Sequence, residues 1–169
     1  KDMLTGRYLM PWVRLHAIKD YLDMVLVLDD YPNVRQTFNL VPSLMDQLDD
    51  YGHNSAHDLH SMLMVKPVSE FTPHDKRFVL ERFFDANYDN MIRPNQHYKS
   101  LYDKVRSGST SENINKFTDD EYADIIMWFN LVWFDPIWYD RIPELKAFKA
   151  QEKGFTLEQR TRLLEIQRE

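Results

Sequence analysis

The sequence predicts a mainly α chain with one or few short strands: an α/β unit at the start, then a helical region. Three observations predict it. Apolar residues recur at three-four spacing from Leu15 onward, residues 33–41 switch to alternation ahead of Pro42, and after His57 only helical patterns recur. The division falls between residues 1–52, the β/α segment, and residues 53–169, the helical region.

In the first element Leu15, Ile18, Leu22, Val25, Leu26 and Leu28 form one stripe, and Asp20, Asp23, Asp29 and Asp30 oppose it. This spacing predicts an amphipathic helix that ends before Pro32. The stretch "NVRQTFNLV" then sets Val34, Gln36, Phe38 and Leu40 against Arg35, Thr37, Asn39 and Val41. Its alternation and its β-branched and aromatic residues predict a short strand. Pro42-Ser43 opens a second helix with Leu44, Met45 and Leu48 inward, and "DDYGHN" closes it. Helix, strand and helix in succession are the grammar of a β/α unit on a parallel sheet.

The helical region begins with "HDLHSMLM", a short helix stopped by Lys66-Pro67. Thr72-Pro73 pairs an N-cap residue with proline at the first helical position, and Phe78, Val79, Phe83 and Phe84 make its inward stripe. A loop, "NMIRPN", leads into the helix "QHYKSLYDKVRSG". The polar stretch "SGSTSENINK" has no periodicity and reads as a mobile loop. "TDDE" at Thr118 and "TLEQ" at Thr156 are capping boxes, in which a hydroxyl and the third residue's side chain satisfy each other's free backbone donors. The helix after Thr156 meets no stop signal and is expected to run to Glu169.

Composition narrows the classes of function. The net charge is -6 with acidic and basic residues interleaved, so no basic face is available to a nucleic acid. There is no cysteine, which removes disulfides, thiolate metal sites and thiol nucleophiles. No membrane span or secretory leader is read in the sequence, and the cytoplasm is the default expectation.

His57-x-x-His60 is a metal-like spacing without a third ligand, so no metal and no cofactor is expected. Asp119, Asp120 and Glu121 lie at a helix start, where capping accounts for their charge. The hydroxyls lack a glycine elbow, so no serine hydrolase is indicated. The segment "MWFNLVWFDPIWYD" carries three of the four tryptophans. Flat rings with a polar edge suit the apolar face of a sugar, and they equally suit a buried helix face; Trp133 is open to both readings. Asn130, amid apolar neighbours, is either a satisfied core amide or a group aimed at a ligand. Asn39 poses the same alternative at the carboxyl end of the expected strand, where ligands gather in parallel sheets. Trp12, Arg14 and His16 sit at a loop-to-helix junction with side chains able to reach a ligand.

The pattern Leu9-x-Pro11-Trp12-x-Arg14-x-His16, followed by Thr37-Phe38-Asn39-Leu40-Val41-Pro42-Ser43-Leu44, resembles glycoside hydrolase family 57. That family comprises retaining α-glucan-active enzymes, among them amylases, amylopullulanases and 4-α-glucanotransferases. The segments "LERFFDANYDNMI" and "MWFNLVWFDP" are similar to its helical excursion. The resemblance implies a fragment of a (β/α)7-type barrel with a helical insertion. It also implies a glutamate nucleophile and an aspartate acid/base, neither of whose motifs is in these residues, so no catalytic residue is assigned and the chain alone is expected to be inactive. The implied partners are an α-glucan or oligosaccharide substrate and the remainder of the barrel domain. Trp12, Arg14, His16, Asn39 and Trp133 are the candidate substrate-binding residues, chosen from position and chemistry. The alternative is a non-catalytic helical module that binds a protein partner or carbohydrate.

Overall fold

The computed structural model describes residues 1–2, 4–53, 56–108 and 114–169. The first helical run is α1 (Trp12–His16), a π-helical turn (Ala17–Tyr21), α2 (Asp23–Leu26) and a 3-10 turn (Val27–Asp30). The expected amphipathic helix is therefore present but irregular, and only its first half is packed. Leu15 and Ile18 are buried, whereas Leu22, Val25 and Val27 are exposed.

The strand expected over residues 34–41 does not form. Apart from a turn bond from the Val34 N–H to the Tyr31 carbonyl, this segment enters no ladder, and Val34, Leu40 and Val41 face solvent. Alternation and β-branching become a strand only where a neighbouring edge supplies backbone partners. Among the described residues the one β-type pairing is an isolated parallel bridge between Tyr8 and Asp58. These residues accordingly form a helical array and no barrel.

The remaining helices are α3 (Pro42–Gly52), α4 (Leu59–Met64), α5 (Pro73–Arg82), α6 (Gln96–Arg106), α7 (Asp119–Val132), α8 (Pro136–Arg141), α9 (Pro143–Gln151) and α10 (Leu157–Ile166). In α3 Leu44 and Leu48 are half-buried, but Met45, expected inward, is exposed. A π-helical turn (Tyr88–Ile92) takes up part of the loop expected at residues 90–95. Helix α10 ends at Ile166, short of Glu169, where the Gln167 N–H bonds the Leu163 carbonyl. The polar stretch 107–116 falls in part on residues 109–113, outside the described residues.

Four reciprocal caps fix where helices start. Thr118 accepts from the Glu121 N–H at 3.2 Å while Glu121 accepts from the Thr118 N–H at 2.8 Å. Thr156 and Gln159 make the same exchange, as do Thr72 and Asp75. Asp58 and Ser61 make the fourth, at α4, which the sequence reading had not singled out.

Helix α7 is the axis of the array. Every residue from Tyr122 to Leu131 is buried, as expected of a helix that is apolar nearly all round and enclosed by others. Helices α4, α5, α6 and α10 pack against it. Two buried polar groups tie loops and helices to this core. The Asp124 carboxylate accepts from the Gly154 and Phe155 N–H groups at 2.8 and 3.1 Å, and the Tyr98 hydroxyl donates to the Phe83 carbonyl at 2.6 Å.

Candidate functional site

Helix α1 places Trp12 and His16 four residues apart, on one face, and Arg14 on another. Trp133, at the end of α7, meets the first face. Its ring centroid lies 5.9 Å from that of Trp12 and 5.4 Å from that of His16, the latter edge-on. Together with Arg82, Asp85, Ala86 and Asn87 these three line an open cavity of about 810 Å³. Three of the five residues proposed from sequence thus come together, from segments more than a hundred positions apart.

The polar groups around the aromatic wall are held in fixed poses. His16 Nδ1 pairs with the Asp20 carboxylate, one helical turn on, which leaves Nε2 as the ring nitrogen free to meet a ligand. Arg82 Nη2 lies 3.0 Å from Asp85 Oδ2, and burial nevertheless pushes the Asp85 carboxyl up from its ordinary value, against the pull of that guanidinium. Trp133 Nε1 is out of water and has no hydrogen-bond partner among the described residues. An unsatisfied buried donor costs about 1–3 kcal/mol, a cost that a water or a ligand acceptor meeting the indole would remove. Arg82, Asp85 and Asn87 were not singled out from the sequence. The available signal was the polar Arg82, Asp85 and Asn87 flanking the apolar Phe83-Phe84 at the end of α5.

Arg14 is not in the cavity lining and is almost wholly enclosed. Its Nε donates to Asp58 Oδ2 at 3.2 Å, and its Nη1 donates to Asn130 Oδ1 at 3.1 Å and to Gln167 Oε1. Asp58 also accepts from the Tyr51 hydroxyl at 3.1 Å. One guanidinium therefore joins α1, the start of α4, α7 and the end of α10. Of the two readings of Asn130, the core amide is the one observed, because its Nδ2 donates to the Ile126 carbonyl at 2.8 Å. Asn39 is exposed on the unpaired stretch and does not line the cavity.

His57 and His60 have different surroundings. His57 is exposed near Arg168, whereas His60 is buried against Phe78, Phe83 and Phe129, with ring centroids at 4.9, 4.7 and 5.4 Å. Burial pushes the His60 imidazole down to about 4.

An aromatic wall with fixed polar groups at its edge suits a polyhydroxylated ring. The sequence as a whole agrees with that chemistry, because the family model for glycosyl hydrolase family 57 matches residues 2–166. The chain belongs to glycosyl hydrolase family 57. The resemblance carried by Leu9–His16 and Thr37–Leu44 is borne out by that match, which spans nearly all of this family 57 chain. No curated protein and no solved structure matches it at a significant level. No helix of the described residues is long and apolar enough to cross a membrane.

Proposed function

We propose that this family 57 chain is part of a retaining glycoside hydrolase or glucanotransferase acting on α-glucans, and that it supplies sugar contacts rather than the catalytic carboxylates. The observation that carries the reading is the convergence of Trp12, His16 and Trp133 on one open cavity. A glucose ring lying on Trp12 would cover its apolar face, while His16 Nε2, Asn87 and the Arg82–Asp85 pair meet hydroxyls at the rim. Arg14 supports this wall by fixing α1 to the core. Residues 1–52 would belong to the barrel and residues 53–169 to its helical insertion.

Isothermal titration with maltoheptaose tests the reading. The chain should give saturable heat, the Trp12→Ala variant should bind at least about tenfold more weakly with its far-UV circular dichroism unchanged, and cellohexaose should bind less well. Equal affinity in Trp12→Ala would sink it.

The exposed run Val25, Val27, Tyr31, Val34 and Leu40 favours a second role beside the first. An apolar surface of this kind marks a contact with another protein segment, for which the remaining barrel strands are the natural occupant. Amides of residues 34–41 should be protected from hydrogen exchange when those strands are supplied and exchange freely without them; the same rate in both states would refute the contact.

A further inference from the structure

A second cavity, of about 540 Å³, lies where five segments meet: the π-helical turn after α1, the turn before α6, α7, α8 and α9. Val132 lines this cavity and its neighbour Trp133 the first, and the two share no lining residue. Its charged lining is of one sign. Among the described residues Lys19, Lys146 and Lys149 border it and no carboxylate does, although acidic residues outnumber basic ones in the chain by 27 to 21.

None of these ammonium groups is held by a strong partner. Lys19 makes no ion pair among the described residues. Lys146 meets Asp140 at 2.8 Å, but both are well exposed, and such surface pairs exchange readily for a better anion. Lys149 lies 5.1 Å from the centroid of the Tyr139 ring.

The apolar lining is Trp128, Phe134, Tyr139, Met91 and Val132. Its polar tips are already turned inward: Trp128 Nε1 donates to the Glu152 carbonyl and the Tyr139 hydroxyl donates to the Leu131 carbonyl, each at 2.7 Å. Trp128, Phe134 and Met91 are themselves buried, so the surface left to a ligand comes mainly from Tyr139, Val132 and Pro136 and offers little hydrogen bonding. Asn95 donates its Nδ2 to the Met91 carbonyl at 2.7 Å, which leaves Oδ1 to accept from a hydroxyl.

We propose that this cavity is a binding site for a phosphate monoester carried on a ring-shaped alcohol. The anion follows from three cations without a carboxylate among the lining residues. Phosphate rather than carboxylate follows from charge, because three separate ammonium point charges gain more from a near-dianionic phosphate monoester than from a carboxylate monoanion. The ring follows from the accessible apolar patch made by the half-buried Tyr139 with Val132 and Pro136. The volume falls within the range of small-molecule sites, about 300–1,000 Å³. This inference does not depend on the α-glucan reading of the first cavity.

The test is isothermal titration at low ionic strength with glucose 6-phosphate, glucose and inorganic phosphate. Glucose 6-phosphate should bind at millimolar or tighter concentration, inorganic phosphate about tenfold more weakly, and glucose not detectably by a lysine-dependent route. Lys19→Met and Lys149→Met should each weaken glucose 6-phosphate about tenfold while the thermal midpoint stays unchanged, and added salt should weaken it further. No heat at about 10 mM ligand, or affinity unaltered in both lysine variants, would overturn the proposal. Equal binding of inorganic phosphate and glucose 6-phosphate would overturn the ring-binding part.

Discussion

Replacing Arg14 by methionine keeps the aliphatic stem of the side chain and removes its charge. The structure dictates a large effect. Asp58 is fully buried, and Arg14 Nε at 3.2 Å is its ion-pair partner from α1; Asn130 and Gln167 also accept from the same guanidinium. Burial pushes the Asp58 carboxyl up, but the Arg14 guanidinium and the Ser61 N–H together hold it below its ordinary value. Breaking a buried pair by removing one partner costs about 3–5 kcal/mol. In a domain whose total stability is about 5–15 kcal/mol, and where each kcal/mol moves the midpoint about 2–4 °C, Arg14→Met should melt about 6–20 °C lower. Thermal and urea unfolding at pH 7, followed by far-UV circular dichroism, measures this. Adding Asp58→Asn removes the stranded charge while keeping a good N-cap for α4, so the double variant should recover about 1–2 kcal/mol relative to Arg14→Met. A single variant within about 1 kcal/mol of the parent, or losses that simply add, would refute the reasoning.

Other expectations follow from the same contacts. Because burial lowers the His60 imidazole to about 4, below its unfolded value near 6.5, the fold favours the neutral ring. That contribution is fully present above pH 6.5 and is lost as pH falls toward 4, by about 3 kcal/mol in all. His60→Leu should flatten the stability curve between those pH values, and an unchanged slope would assign the acid sensitivity elsewhere. Thr118→Ala should cost about 1 kcal/mol by opening the capping box of α7, whereas Thr118→Ser should be nearly neutral in urea unfolding.

Local chemistry in the sequence carried through wherever partners lie within a few residues. Thr72, Thr118 and Thr156 cap helices as their spacing indicates, because hydroxyl and backbone are neighbours in the chain. Segment 34–41 shows the opposite case: its pattern suits a strand, but a strand is a relation to a second edge, and among the described residues none is there. The cavity was half legible. Trp12, His16 and Trp133 were marked by ring chemistry and a family pattern, whereas Asp85 and Asn87 joined them only through the packing of α5 on α7. Arg14 carried the same motif signal as its neighbours, yet the helix turns it into the core. Two positions along the helix, about 200° of rotation, separate a rim residue from a buried anchor.

The most direct measurement is a nitrogen–proton correlation spectrum of the four tryptophan indoles during titration with maltoheptaose. The Trp12 and Trp133 resonances should shift together and saturate, while those of Trp128 and Trp138 hold still. Shifts confined to Trp128 or Trp138, or none at millimolar sugar, would contradict the assignment of the cavity.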